Sequence, residues 1–174
     1  TTSFRLIFIF STLLFLTSVV KSQTSYNNEI KQYAVSLYNS FDLMQKRSGV
    51  LRFNDTARLK WNNLPVGLRA RVGTSIGNMT DDQRKLVHRI LSASFSSQGY
   101  LKATSIMHLD DLLNRFTDSL MYRKEISDTT FNFFRSLLWS HKNYFFAFFG
   151  QPADSIWGYK LEGHHLSVNF TFVK

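Results

Sequence analysis

The most chemically capable segment of this 174-residue sequence is Glu162-Gly163-His164-His165, where one carboxylate and two imidazoles fall within four residues. Both groups are common zinc ligands, so Glu162, His164 and His165 are candidate ligands for a divalent metal. Alternatively, one histidine acts as a general base that Glu162 orients, which makes Glu162 and His165 the catalytic candidates. A structural interpretation is also open, with His165 a hydrogen-bonded core histidine and His164 a residue at the rim.

The same segment interrupts the apolar alternation of a long extended stretch over residues 157–173. The apolar residues are odd-numbered before the segment and even-numbered after it: Trp157, Tyr159 and Leu161, then Leu166, Val168, Phe170 and Phe172. One undistorted strand cannot bury both sets on one side, so Gly163 is the expected position of a bulge or tight turn. Because bulges re-aim side chains and are common beside active sites, we expect a polar pocket here, with Trp157 and Lys160 nearby.

The other groups that could perform chemistry are more scattered. His88, His108 and His141 are far apart in sequence, which is typical of surface or packing residues. Asp110 and Asp111 are adjacent in a helical pattern and therefore point about 100° apart, so we expect a solvated helix face and not a carboxylate pair. The chain has no cysteine, which excludes disulfides, cysteine metal ligands and cysteine nucleophiles.

Helical periodicity occupies the first part of the chain that must position this segment. Apolar residues recur at helical spacing over residues 26–46, and Thr80 with Gln83 has the capping-box spacing that begins a helix. After a break at 96–99, a further helix is predicted to bury a stripe that consists of Ile106, Leu109, Leu113 and Phe116.

Extended patterns dominate the C-terminal part. Residues 144–149 are apolar on both faces, as in a covered strand, and a turn at 150–154 would let them pair antiparallel with the stretch over 157–173. Helices first and strands afterwards predict an α+β fold, with N-terminal helices packed on a C-terminal antiparallel sheet.

Residues 1–22 have the pattern of a secretory signal peptide. Arg5 precedes an apolar run over 6–20, and short residues before position 23 predict cleavage after Ser22. The run is shorter than the roughly 20 apolar residues that span a bilayer, and no later stretch is long enough. We therefore predict a secreted protein with a single α+β domain over 23–174, without a transmembrane span after signal removal.

Charge and modification motifs add little about partners. The formal charge of +9 loses two positive charges with the signal, and the remaining basic residues are spread along the chain, so no nucleic-acid partner is expected. Asn54, Asn78 and Asn169 begin Asn-x-Thr sequons and are predicted glycosylation sites.

The chain starts without Met and stops just after a strand pattern, which suggests that the domain is truncated at its C-terminus.

Several segments resemble the family known as domain of unknown function 3500. The most specific is Phe149-Gly150-Gln151-Pro152 followed by the stretch from Trp157 to Thr171; shorter ones are Trp61-Asn62-Asn63-Leu64-Pro65, Met79-Thr80-Asp81-Asp82-Gln83-Arg84, Ser97-Gln98-Gly99-Tyr100 and Ile106-Met107. The resemblance implies a largely extracytoplasmic protein without an established activity, in a family whose members extend further at the C-terminus. Where members often carry Trp-Gly-Trp-Arg, this chain has Trp157-Gly158-Tyr159-Lys160.

Three functional hypotheses follow from these observations. In the first, the pocket at Glu162, His164 and His165 binds a divalent metal and supports hydrolytic or oxidative chemistry. In the second, the protein is a non-catalytic extracellular binding module for a glycan or another protein. In the third, the Glu-Gly-His-His segment only determines the fold.

Overall fold

The computed structural model describes residues 27–174, so the predicted signal peptide lies outside the described residues. Residues 27–40 are helical and are termed α1. The helices that follow are α2 (Leu43–Gly49), α3 (Asp81–Ser94), α4 (Ser97–Tyr122) and α5 (Asp128–Ser136). Single turns of 3-10 helix occur at Thr56–Arg58, Ile76–Asn78 and His141–Asn143.

Two capping boxes determine where α2 and α3 begin. The predicted box at Thr80 and Gln83 is confirmed, and a second one links Asp42 with Gln45. The single helix predicted over 26–46 is therefore wrong: Asp42 is extended and starts a new helix. The amides of Gln45 and Gln83 also bond to each other at 2.9 Å in the interior, which fixes α2 against α3.

The strands form one mixed, mainly antiparallel sheet whose three longest strands come from the C-terminal part of the chain, so the predicted α+β fold is confirmed. They are β1 (Val50–Leu51), β2 (Thr74–Ser75), β3 (Phe145–Phe149), β4 (Ile156–Glu162) and β5 (Ser167–Val173). The main order is β1-β3-β4-β5, and β2 pairs with β3 beside β1. Among the strand pairs of the described residues, β1–β3 is parallel and the other three are antiparallel.

The stretch over 157–173 is a hairpin and not one long strand. The turn at Gly163–Leu166 connects β4 to β5, with Glu162 opposite Ser167 and Tyr159 opposite Phe170. Each odd-numbered residue of β4 thus faces an even-numbered residue of β5, which explains the change of parity. The predicted pairing of residues 144–149 with this stretch is confirmed as β3–β4.

The two faces of β4 have different environments. Tyr159 stacks between Phe146 and Phe170, with ring centroids 5.2 and 5.1 Å away, in the core that the sheet forms with the helices. On the other face, Lys160 and Glu162 are covered by the irregular segment over 52–73. The hairpin turn therefore lies where the helical layer, the sheet and this segment meet.

Candidate functional site

The turn at Gly163–Leu166, termed the hairpin turn, is shaped by its neighbours. Gly163 N–H donates to the Leu166 carbonyl at 2.9 Å, and His165 adopts a left-handed conformation with φ of 56°. A Cβ atom at Gly163 would lie 2.5 Å from the ring of Tyr144, so the close approach of that ring requires glycine. The strained His165 backbone turns its side chain to the surface, whereas His164 is buried.

A hydrogen bond joins His164 to an acid that the sequence analysis did not select. His164 Nδ1 lies 2.7 Å from Asp110 Oδ1 in α4, and the two residues are only 7% and 4% exposed. A carboxylate at Nδ1 orients the imidazole and leaves Nε2 available. We term this arrangement the Asp110–His164 pair.

Tyr144, just before β3, ties the pair to the sheet. Its hydroxyl lies 2.6 Å from the His164 carbonyl and 3.2 Å from Asp110 Oδ2, so one hydroxyl proton serves both acceptors. Burial raises the pKa of Tyr144 well above its ordinary value, and the charge and hydrogen bond of Asp110 raise it further. Tyr144 is therefore a permanent donor that holds the main chain at His164.

An open apolar groove of about 690 Å³, termed the α4 groove, lies directly beside this pair. Its lining comprises the pair, His165 and a set of α4 side chains that includes Leu109, Leu112, Leu113 and Phe116. In the part of the chain that is described, His164 Nε2 has no hydrogen-bond partner. The ring centroids of His164 and His165 are 3.9 Å apart, with the rings tilted by 31°, so the groove contains two adjacent imidazoles.

The stripe predicted to be buried on α4 instead lines this groove. Leu109 and Phe116 are 54% and 57% exposed, whereas the buried α4 positions include Ala103, Met107 and Asp110. These buried positions are also helically spaced, so Asp110 is in phase with the core and is not on a solvated face. The helical spacing of Asp110 with Ala103 and Met107 could have indicated from the sequence that Asp110 is buried. The larger leucine and phenylalanine side chains on another face of α4 favoured that face instead.

On the opposite side of the turn, Glu162 forms a buried ion cluster with two cations. Its Oε2 lies 2.9 Å from Lys160 Nζ and 3.9 Å from Arg71 Nε. Arg71 also donates to the Gly163 carbonyl at 3.1 Å and to two carbonyls of the segment over 62–64. Burial lowers the pKa of Arg71, although the charge of Glu162 opposes this effect. The cluster thus anchors the hairpin turn to the covering segment.

The structure does not bring the predicted metal ligands Glu162, His164 and His165 together. Within residues 27–174, only His108, Asp111 and His141 place three such ligand atoms within 4.8 Å of one another. Glu162 forms an ion pair with Lys160, whereas His164 is hydrogen-bonded to Asp110. The Glu162 and His164 side chains therefore have different partners. The histidines at 108 and 141, which look isolated in sequence, share Asp111 as a neighbour.

The remaining predicted positions lie apart from the pair. Trp157 stacks on Phe172 with a centroid distance of 4.4 Å, at the end of β4 opposite to Glu162.

The sequon residues Asn54, Asn78 and Asn169 are all exposed, and glycosylation there stays a prediction. None of the helices within residues 27–174 is both long and apolar enough to cross a bilayer.

Comparisons with known proteins place this architecture in a family. The chain has no significant match among curated proteins or among solved structures. The model of a family described as Protein of unknown function (DUF3500) matches residues 23–174, which include the hairpin turn, Asp110 and Tyr144. The resemblance noted in the hairpin and in the shorter motifs is thereby confirmed, and the chain belongs to the DUF3500 family.

Proposed function

We propose that this protein is a secreted hydrolase in which His164 acts as a general base on a substrate with an apolar group. The observation that carries the proposal is the buried Asp110–His164 hydrogen bond of 2.7 Å beside an open groove. A histidine held at Nδ1 by a carboxylate is the arrangement that general-base catalysis uses.

The chemistry would use water as the nucleophile. His164 Nε2 takes a proton from water as the oxygen attacks the carbonyl carbon of an ester or amide, and the resulting imidazolium is stabilised by Asp110. The same proton then passes to the leaving group when the bond to the carbonyl carbon breaks. Tyr144 holds the main chain of His164 through its 2.6 Å hydrogen bond, which keeps the base in position.

The α4 groove supports an apolar substrate group. Leu109, Leu112 and Phe116 are each more than half exposed there, and their contact with an apolar chain would remove this surface from water. We expect the gain to increase with chain length by about 0.8 kcal/mol per buried methylene.

Secretion belongs to the same proposal. The family match begins at residue 23, directly after the cleavage position that the signal pattern predicts. Expression of the whole chain in a secreting eukaryotic host should release a protein whose N-terminal residue is Gln23. Intact residues 1–22 on the released protein, or complete retention in the cell, would contradict this part.

The hydrolase proposal is tested with p-nitrophenyl esters of increasing acyl length and with fluorogenic amides. We expect turnover that rises with acyl length and falls by about a hundredfold or more in His164→Gln and in Asp110→Asn. His88→Gln is the matched control, because His88 is hydrogen-bonded to Tyr100 and does not line the groove. Equal activity in His164→Gln and the wild type would refute the assignment of the base.

A second candidate function is a non-catalytic extracellular binding module, as the sequence also suggested. The observation in its favour is Trp61, which is 70% exposed and lines a second cleft of about 520 Å³ with Asn63 and Lys160. This cleft adjoins the α4 groove at His165, which lines both. An exposed indole beside polar side chains suits glycans or proteins. Binding to a glycan array that Trp61→Ala abolishes, together with no turnover in the ester panel, would favour this function.

A further inference from the structure

We propose that His108, Asp111 and His141 form a separate site that binds a divalent transition-metal ion of the zinc type. Their three ligand atoms lie within 4.8 Å of one another. Two imidazoles and one carboxylate match the ligands that zinc uses at sites with an open coordination position. The site lies outside the α4 groove and does not depend on the proposed hydrolase activity.

The fold brings these ligands together from two elements. His108 and Asp111 are three residues apart in α4, so they share one face of the helix. His141 begins the 3-10 helix that leads towards β3, and its Nδ1 lies 2.6 Å from Asp111 Oδ2. The exposed ring of His108 lies nearby, with Nδ1 3.7 Å from the same oxygen.

The carboxylate is held in place before any ion binds. Asp111 Oδ1 accepts hydrogen bonds from the His141 backbone N–H at 3.0 Å and from the Ser140 hydroxyl at 3.2 Å. These two hydrogen bonds fix Oδ1 in the way that outer partners usually fix a metal ligand. The other oxygen, Oδ2, is the one that lies near both imidazoles.

The geometry requires only a modest adjustment. Tetrahedral zinc with ligands at about 2.0–2.1 Å places ligand atoms about 3.3 Å apart. The His108 side chain is 68% exposed and can rotate towards Asp111, and His141 can exchange its hydrogen bond for a bond to the ion. The two rings already have centroids 5.7 Å apart. Partial exposure of the cluster leaves a coordination position for water.

The test is isothermal titration of the chelator-treated, full-length secreted protein with zinc chloride. We expect one saturable zinc ion per chain, and affinity reduced at least about tenfold in His108→Ala and in Asp111→Asn. His165→Ala is the matched control, because it also removes an exposed imidazole but lies in the hairpin turn. Its zinc affinity should equal that of the wild type.

A second measurement separates loss of the site from loss of the fold. Zinc should raise the Tm of the wild type but not that of His108→Ala, whose Tm without metal should be unchanged because the side chain is mostly exposed. Cobalt in place of zinc should give the visible bands of a tetrahedral site in the wild type only. No saturable zinc binding, unchanged affinity in His108→Ala, or loss of affinity in His165→Ala would overturn the proposal.

Discussion

Replacing Glu162 with Gln removes the carboxylate between the buried cations of Lys160 and Arg71. Within residues 27–174, no other acidic side chain forms an ion pair with either cation. Lys160 and Glu162 are only 3% and 5% exposed, so water cannot replace the lost charge. The substitution conserves the volume of the side chain and leaves two like charges close together in the interior.

The expected cost follows from the two separations. At an effective dielectric constant of about 20, opposite charges 2.9 and 3.9 Å apart attract by about 6 and about 4 kcal/mol. Most of this attraction offsets the desolvation of the ions, and loss of one partner from a buried pair typically costs about 3–5 kcal/mol. We expect a value near 3 kcal/mol, because glutamine can still accept a hydrogen bond from Lys160.

Urea denaturation followed by tryptophan fluorescence measures this loss as a lower midpoint at an unchanged m value. Lys160→Met is the matched control: it leaves Glu162 and Arg71 as a balanced pair and keeps an apolar stem of similar length. It should therefore cost less than Glu162→Gln. A loss below about 1 kcal/mol in Glu162→Gln, or a larger loss in Lys160→Met, would refute the view that the carboxylate neutralises both cations.

Two further substitutions concern the buried tyrosines Tyr144 and Tyr159, which belong to the same core. Gly163→Ala should destabilise the protein by about 1–3 kcal/mol, because the new methyl group displaces the Tyr144 ring; unchanged thermal unfolding would contradict this. Tyr159→Phe should leave the stability unchanged or raise it by up to about 1 kcal/mol, because the buried hydroxyl makes at most a weak contact with Ser94, whose own hydroxyl donates to the Ile90 carbonyl. Burial also raises the pKa of Tyr159, so its contribution is present below about pH 10 and is lost at higher pH. The variant should consequently lose less stability than the wild type in alkaline urea titrations, and an equal loss would count against this account.

The parts of the fold that local chemistry determines were predictable. The capping box at Thr80 and the antiparallel pairing of β3 with β4 both follow from neighbouring residues. The break before α2 was missed because apolar spacing continues through it, although Asp42 carries the capping signal. The sequence left both a bulge and a tight turn open at Gly163, and the structure has the tight turn; parity alone does not distinguish a shift of register from a reversal of direction.

The candidate site was only half visible in the sequence. His164 was selected, but its partner Asp110 is 54 residues away and belongs to another element. Periodicity favoured the larger leucine and phenylalanine side chains of α4 as the buried face, yet these line a groove. Contacts between distant residues depend on how α4 is rotated about its own axis, which a hydrophobic pattern determines poorly when two faces are apolar.

The register of the hairpin has a consequence for how this protein can evolve. With Glu162 opposite Ser167, the four-residue turn places Val168, Phe170 and Phe172 on the core side of β5. An insertion or deletion of a single residue in the turn would exchange these side chains with Asn169 and Thr171. Substitutions in the turn alter individual contacts, whereas a change in its length would expose the aromatic face of the whole strand. Selection should therefore act against gaps at every position of this turn, including those where a replacement is tolerated.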